Sequence, residues 1–137
     1  MAILIRRRYD LEVAHLLTAG VPEGHKCRRL HGHRYELTLH VGGELNADGM
    51  LIEYDDLDRV IRPVLRAVDH HSLNTLAERC STPTAAWVAE NPTVERFAAW
   101  LAVRLESLIA SAAPDRRLWL DRIDLQEDAT SGASWRP

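Results

Sequence analysis

Between residues 3 and 15 apolar and polar side chains alternate. Ile3, Ile5, Tyr9, Leu11 and Val13 share one face with Arg7, while Arg6, Arg8, Asp10 and Glu12 share the other. A period of two predicts a strand buried on one side, with His15 closing its apolar face. Residues 16–30 contain Gly20, Pro22 and Gly24 and predict a loop. Alternation resumes at His33, with Tyr35, Leu37, Leu39 and Val41 opposed to Arg34, Glu36, Thr38 and His40. His31 and His33 have the parity of that apolar side. Paired as an antiparallel hairpin, the two strands carry their histidines at the same end of the buried face.

Beyond the Gly42-Gly43 turn, Met50–Tyr54 predicts a short strand. The period then changes to that of a helix, with Leu57, Val60, Ile61, Val64, Leu65 and Val68 on one stripe, Asp55 or Asp56 as cap, and Pro63 as a kink. Residues 75–90 show no convincing period and predict a long, partly helical connection. A second helix is expected from N-P-T-V-E, with Asn91 as cap, Pro92 at the first helical position and a stripe through Val94, Phe97, Ala98, Leu101, Leu105 and Leu108. A last strand is expected at about Leu118–Glu127. The pattern predicts an α+β domain spanning 1–137, with two helices packed on one face of an antiparallel four-stranded sheet.

Composition narrows the function more than the fold. At 137 residues, 46 % apolar and 27 % charged, the chain has the size and balance of one globular domain. A net charge of −3 gives no general nucleic-acid signature. Two cysteines make no disulfide framework and suit a reducing cytoplasm. The opening MAILIRRRYD predicts neither a signal peptide nor a membrane span. Lys26 is the only lysine, and it stands beside Cys27.

The chemistry gathers in HKCRRLHGHRY, residues 25–35. His-x-His on a strand puts two imidazoles on one face, one pleat apart, and His15 on the neighbouring strand offers a third nitrogen. Three neutral nitrogens are the ligand set of a catalytic zinc with an open fourth position. Cys27 lies in the preceding loop among Lys26, Arg28 and Arg29, where positive charge favours a thiolate. Spacing leaves it open as a reactive thiol, a fourth ligand or an inert residue, and Cys80 reads as structural. Asp69 and His70 leave the first helix together, either as an ordinary solvated helix end or as groups that act jointly on a third. Glu127 continues the face of Ile123 and Leu125, so the sheet directs a carboxylate inward, where an arginine or a ligand with a guanidine-like edge must meet it.

Together A-H at 14–15, C-R-R-L-H-G-H at 27–33, G-M-L-I-E-Y at 49–54, D-H-H-S-L-N at 69–74, N-P-T-V-E at 91–95 and Q-E-D at 126–128 resemble the 6-pyruvoyl-tetrahydropterin synthase / 6-carboxytetrahydropterin synthase family. The resemblance spans nearly the whole chain. It implies the tunnelling fold, zinc on His15, His31 and His33, and catalysis by Cys27, Asp69 and His70. It also implies a pterin anchored by Glu127 in a pocket that Thr93 helps to line. Members assemble as homo-oligomers, trimers or stacked hexamers, with active sites between subunits. The three residues separating Cys27 from His31 resemble the bacterial 6-carboxytetrahydropterin synthases. These convert dihydroneopterin triphosphate to 6-carboxytetrahydropterin, acetaldehyde and triphosphate on the route to queuosine.

The chain departs from the family pattern at Leu11 (usually aromatic), Glu53 (usually aspartate), Asp128 (usually threonine) and Trp135 (near a usual tyrosine), and in a longer 75–90 connection. Two alternatives keep the fold and change the outcome. One is a pyruvoyl-type synthase that eliminates triphosphate without cleaving carbon–carbon. The other is a non-catalytic zinc-containing homologue that binds pterin or purine.

Overall fold

Strand β1 (Leu4–His15) runs antiparallel to β2 (His31–Gly42) over its whole length, Leu4 opposite Gly42 and His15 opposite His31, in the computed structural model, which describes residues 2–137. Alternation fixes this register. Tyr9, Leu11 and Val13 are buried on the same side as Tyr35, Leu37, Leu39 and Val41, and a slip of one residue would expose all of them. β4 (Trp119–Gln126) adds antiparallel to β2, and β5 (Gly132–Trp135) to β4. A two-residue strand β3 (His71–Ser72) lies parallel to β1 at the opposite edge, which gives the order β3-β1-β2-β4-β5.

The sheet is therefore mixed and five-stranded rather than antiparallel and four-stranded. β3 is too short to leave a period, and β5 follows β4 by a tight polar turn. Met50–Tyr54 forms no strand. The Asn46 side chain accepts from the N–H of Asp48 and of Met50, and Asn46 N–H donates to the Met50 carbonyl at 2.8 Å. These local bonds satisfy the backbone in a turn.

Among the described residues four helices stand where two and a partly helical connection are expected. In α1 (Tyr54–Leu65) the cap is Glu53, which accepts from Asp55 N–H at 2.7 Å, not Asp55 or Asp56. The connection at 75–90 contains α2 (Leu76–Arg79) and α3 (Pro83–Glu90), whose short apolar faces never complete a readable stripe. In α4 (Val94–Ala112) Thr93 is the cap, accepting from Arg96 N–H at 3.2 Å, so Pro92 and Asn91 stay outside the helix. α4 packs on β4 and β5, and α1 packs on α4. The opposite sheet face carries polar contacts, such as the Arg8–Glu36 ion pair at 2.9 Å and the His40–Asp124 hydrogen bond at 2.8 Å. Among the described residues no helix is long and apolar enough to cross a membrane.

Arg7, the one charge on the apolar face of β1, meets Asp58 of α1 with two hydrogen bonds, at 3.0 and 2.6 Å, and the Tyr9 hydroxyl donates to the same carboxylate. These bonds hold the Asp58 carboxyl down to about 2, chiefly through Arg7, against an opposing push from burial. A carboxyl depressed on folding contributes stability above its unfolded value, roughly 3.9, and loses it as pH falls through the folded one. Asp58→Asn is expected to cost about 2 kcal/mol at pH 7. In urea titrations that gap should narrow as pH drops from about 4 towards 2, whereas a pH-independent gap would assign Asp58 a role other than ion pairing.

Candidate active site

The hairpin register carries the three histidines into one group. His15 and His31 are direct cross-strand partners, and His33 lies one pleat along β2. Their ring centroids are 4.6, 5.0 and 4.9 Å apart, and one nitrogen of each lies within 4.8 Å of the others. Two backbone carbonyls set the tautomers. His15 Nδ1–H donates to the Pro92 carbonyl at 2.7 Å, and His31 Nδ1–H donates to that of Arg29 at 2.7 Å. In that tautomer Nε2 is the nitrogen each ring can offer a metal. Burial, above all, lowers the pKa of His15 and favours its neutral form. A metal-binding imidazole has Nδ1 held by the protein and offers Nε2; His15 and His31 are held in this way, and His33 completes a group of three nitrogens close enough for one ion, so the residues fit a divalent metal.

Cys27 reaches the same cleft from the loop joining β1 to β2. Main-chain bonds place it. Leu17 N–H donates to the Cys27 carbonyl at 2.8 Å, and Cys27 N–H donates to His25 Nδ1 at 3.1 Å. The loop is tied down by three side chains: Asn74, which the sequence motifs left without a role, Asn91, expected as a helix cap, and Arg28, expected only as a charge beside Cys27. Asn74 both accepts from and donates to the Leu16 backbone, at 2.9 and 3.0 Å. Asn91 accepts from Thr18 N–H at 3.0 Å. Arg28 donates to the carbonyls of Thr18 and Val21, each at 2.8 Å, which folds the loop around its guanidinium. The group that could hold a metal comprises the histidines without Cys27, and both cysteines are free thiols.

Glu127 follows β4 directly and meets no arginine among the described residues. Its Oε1 lies 3.4 Å from His15 Nε2 and 3.5 Å from His33 Nε2, and the Tyr35 hydroxyl donates to it at 3.3 Å. Burial first, and then the Glu127 charge, push the Tyr35 phenol up, so it stays a donor. Tyr35 was legible only as a core residue, although it continues the parity of His31 and His33. The histidines, Cys27, Glu127 and Thr93 line one cleft of about 640 Å³, a volume suited to a small ligand. The Thr93 hydroxyl is committed to capping α4.

Asp69 and His70 do not join that cleft within the chain. α1 ends at Leu65, earlier than its stripe through Val68 implies, and turns carry the chain to His70. His70 has a left-handed backbone at φ 61°, a costly conformation for a residue other than glycine. That turn sets the imidazole against its neighbour, with Nδ1 3.0 Å from the Asp69 carboxylate, while Asp69 also accepts from Glu12 N–H at 2.9 Å. The His70 side chain is 75 % exposed. It lines a second, shallower cleft together with His33 and Gly32.

The family model for 6-pyruvoyl tetrahydropterin synthase matches residues 4–137. A Haemophilus influenzae protein named 6-carboxy-5,6,7,8-tetrahydropterin synthase is 29 % identical over 145 aligned positions, covering 93 % of this chain and 94 % of that one. A Pyrococcus furiosus dihydroneopterin monophosphate aldolase is 29 % identical over 91 positions, covering 66 % and 68 %. The solved structure of Caenorhabditis elegans 6-pyruvoyl tetrahydropterin synthase superposes with a TM-score of 0.78 at 20 % identity, covering 100 % of this chain and 96 % of that one, and shows the shared fold.

Proposed function

The chain belongs to the 6-pyruvoyl tetrahydropterin synthase family, and on that premise we propose that it is a zinc-dependent lyase acting on dihydroneopterin triphosphate. With water consumed as co-substrate to supply the second carboxyl oxygen, the reaction yields 6-carboxytetrahydropterin, acetaldehyde and triphosphate, on the route to queuosine in the cytoplasm. The observation that carries this reading is the convergence of Cys27, three histidines and Glu127 on one cleft.

His15, His31 and His33 would hold the metal, which when bound polarises the oxygens of the pterin side chain and acidifies the adjacent C–H. Every other part falls to the chain. Glu127 accepts two N–H bonds from the guanidine-like edge of the ring and fixes its orientation. Cys27 takes and returns the side-chain proton as a thiolate base. Asp69 and His70 supply the opposite proton transfers from a neighbouring copy in a homo-oligomer, which agrees with the exposure of His70 away from its own chain's cleft.

Incubating zinc-loaded protein with dihydroneopterin triphosphate should release acetaldehyde in step with triphosphate. Triphosphate without acetaldehyde would indicate pyruvoyl-type chemistry, and bound pterin without either product would indicate a binding protein. The Glu127 anchor has its own check. Glu127→Gln should weaken pterin binding about 10- to 100-fold while leaving metal stoichiometry unchanged, the scale of one charged hydrogen-bonded contact. Unaltered affinity in a fluorescence titration would remove Glu127 from ring recognition.

A further inference from the structure

One histidine of the HKCRRLHGH run has no part in the metal group. His25 stands two residues before Cys27 and caps the short helical turn Lys26–Arg28 that carries the thiol. Its Nδ1 accepts from Cys27 N–H at 3.1 Å, so the proton of the neutral ring sits on Nε2. His15 and His31 have the opposite arrangement, with Nδ1–H donating to a carbonyl, and that arrangement offers Nε2 to a metal. The main chain of His25 is engaged as well. Its N–H donates to the Pro22 carbonyl at 3.1 Å, and its own carbonyl accepts from Arg28 N–H at 3.0 Å. Among the described residues Lys26 and Cys27 line the cleft and His25 does not.

We propose that His25 is a positioning residue for Cys27: its Nδ1 fixes the Cys27 N–H and thereby the direction in which the thiol enters the cleft. Two peptide planes meet at the Cys27 Cα. The plane before it is held through its N–H by His25, and the plane after it is held through its carbonyl by Leu17 N–H at 2.8 Å. With both planes held, φ and ψ of Cys27 are fixed, and the Cα–Cβ bond keeps one direction. Cys27 lies in a loop, so no sheet ladder does this for it. The imidazole takes the place of the aspartate or asparagine that more often accepts the N–H two residues on. A reacting group displaced by about 1 Å loses up to about 100-fold in rate, so the bond should register in turnover rather than in binding. The proposal rests on the lyase reading above for the task of the thiol, and on the loop geometry alone for its placement.

Three substitutions separate placement from bulk and polarity. In His25→Asn the side-chain carbonyl takes the position of Nδ1 and accepts the same N–H, while in His25→Gln it reaches one methylene farther, towards the position of Nε2. His25→Phe keeps the ring shape and has no acceptor. In zinc-loaded protein turning over dihydroneopterin triphosphate, His25→Asn should keep kcat within about threefold of wild type, whereas His25→Gln and His25→Phe should lose about 10- to 100-fold. All three should keep KM within about twofold and full metal content, a split that a loss of folding would not produce. A second readout needs no turnover. The chain has two cysteines, so isotopic labelling of cysteine alone gives two amide signals. Solvent exchange of the Cys27 amide should quicken by at least about fivefold in His25→Gln and His25→Phe, and stay near wild type in His25→Asn. Equal turnover in His25→Asn and His25→Gln, or unchanged Cys27 exchange in His25→Phe, overturns the proposal. A wild-type chain that releases no triphosphate overturns the lyase reading instead, and the exchange series then decides the placement of Cys27 on its own.

Discussion

Replacing Cys27 by alanine is expected to leave a folded, metal-binding, pterin-binding protein whose turnover has fallen by about three orders of magnitude, the scale of a lost proton-transfer group. The structural cost should be small, because the loop is held by main-chain bonds at Leu17 and His25 and by the side chains of Arg28, Asn74 and Asn91. The metal should survive, because the nitrogen cluster closes without the thiol. Iodoacetamide should alkylate Cys27 rapidly near neutral pH, and bound pterin should slow it. A four-ligand structural site predicts the reverse: slow alkylation while metal is present, and metal-depleted, destabilised protein after the substitution. Single-turnover rates and metal content of the variant therefore separate a catalytic thiol from a structural ligand.

His31→Ala should remove both metal and activity while sparing the fold. His31 stands at the start of β2, half-buried, so truncating it opens little core. His15, by contrast, is 2 % exposed, and its loss would confound metal release with a packing defect. Two remaining nitrogens hold a divalent ion far more weakly than three, and an affinity loss of at least about 100-fold is expected, since disturbing only an outer-shell partner already costs about 10- to 100-fold. Emission spectroscopy after dialysis should find the variant essentially free of metal, with an unchanged circular-dichroism spectrum. Full stoichiometry would place the metal elsewhere.

The hairpin was readable because its alternation is unbroken on both strands, and with it came the convergence of His15, His31 and His33. Local competition hid other features. Asn46 captured the backbone of the segment read as a third strand, and Glu53 and Thr93 out-competed neighbouring residues as caps. The short strands β3 and β5 and the helices α2 and α3 carry too few residues to show a period. At the site, the residue types were legible, but their partners depended on contacts distant in sequence. The Pro92 carbonyl that sets the His15 tautomer lies 77 positions away, and the Tyr35 hydroxyl reaches Glu127 across 92. The Asp69–His70 contact required a left-handed residue that no pattern announces.

The most direct test of the central claim is the release of triphosphate from dihydroneopterin triphosphate, followed as metal is returned to chelator-treated protein. A lyase built on the three-histidine cluster should be silent without metal and should regain full activity at one equivalent of zinc per chain. Turnover by the metal-free chain, or a fully metallated chain that binds the pterin and releases nothing, would contradict it.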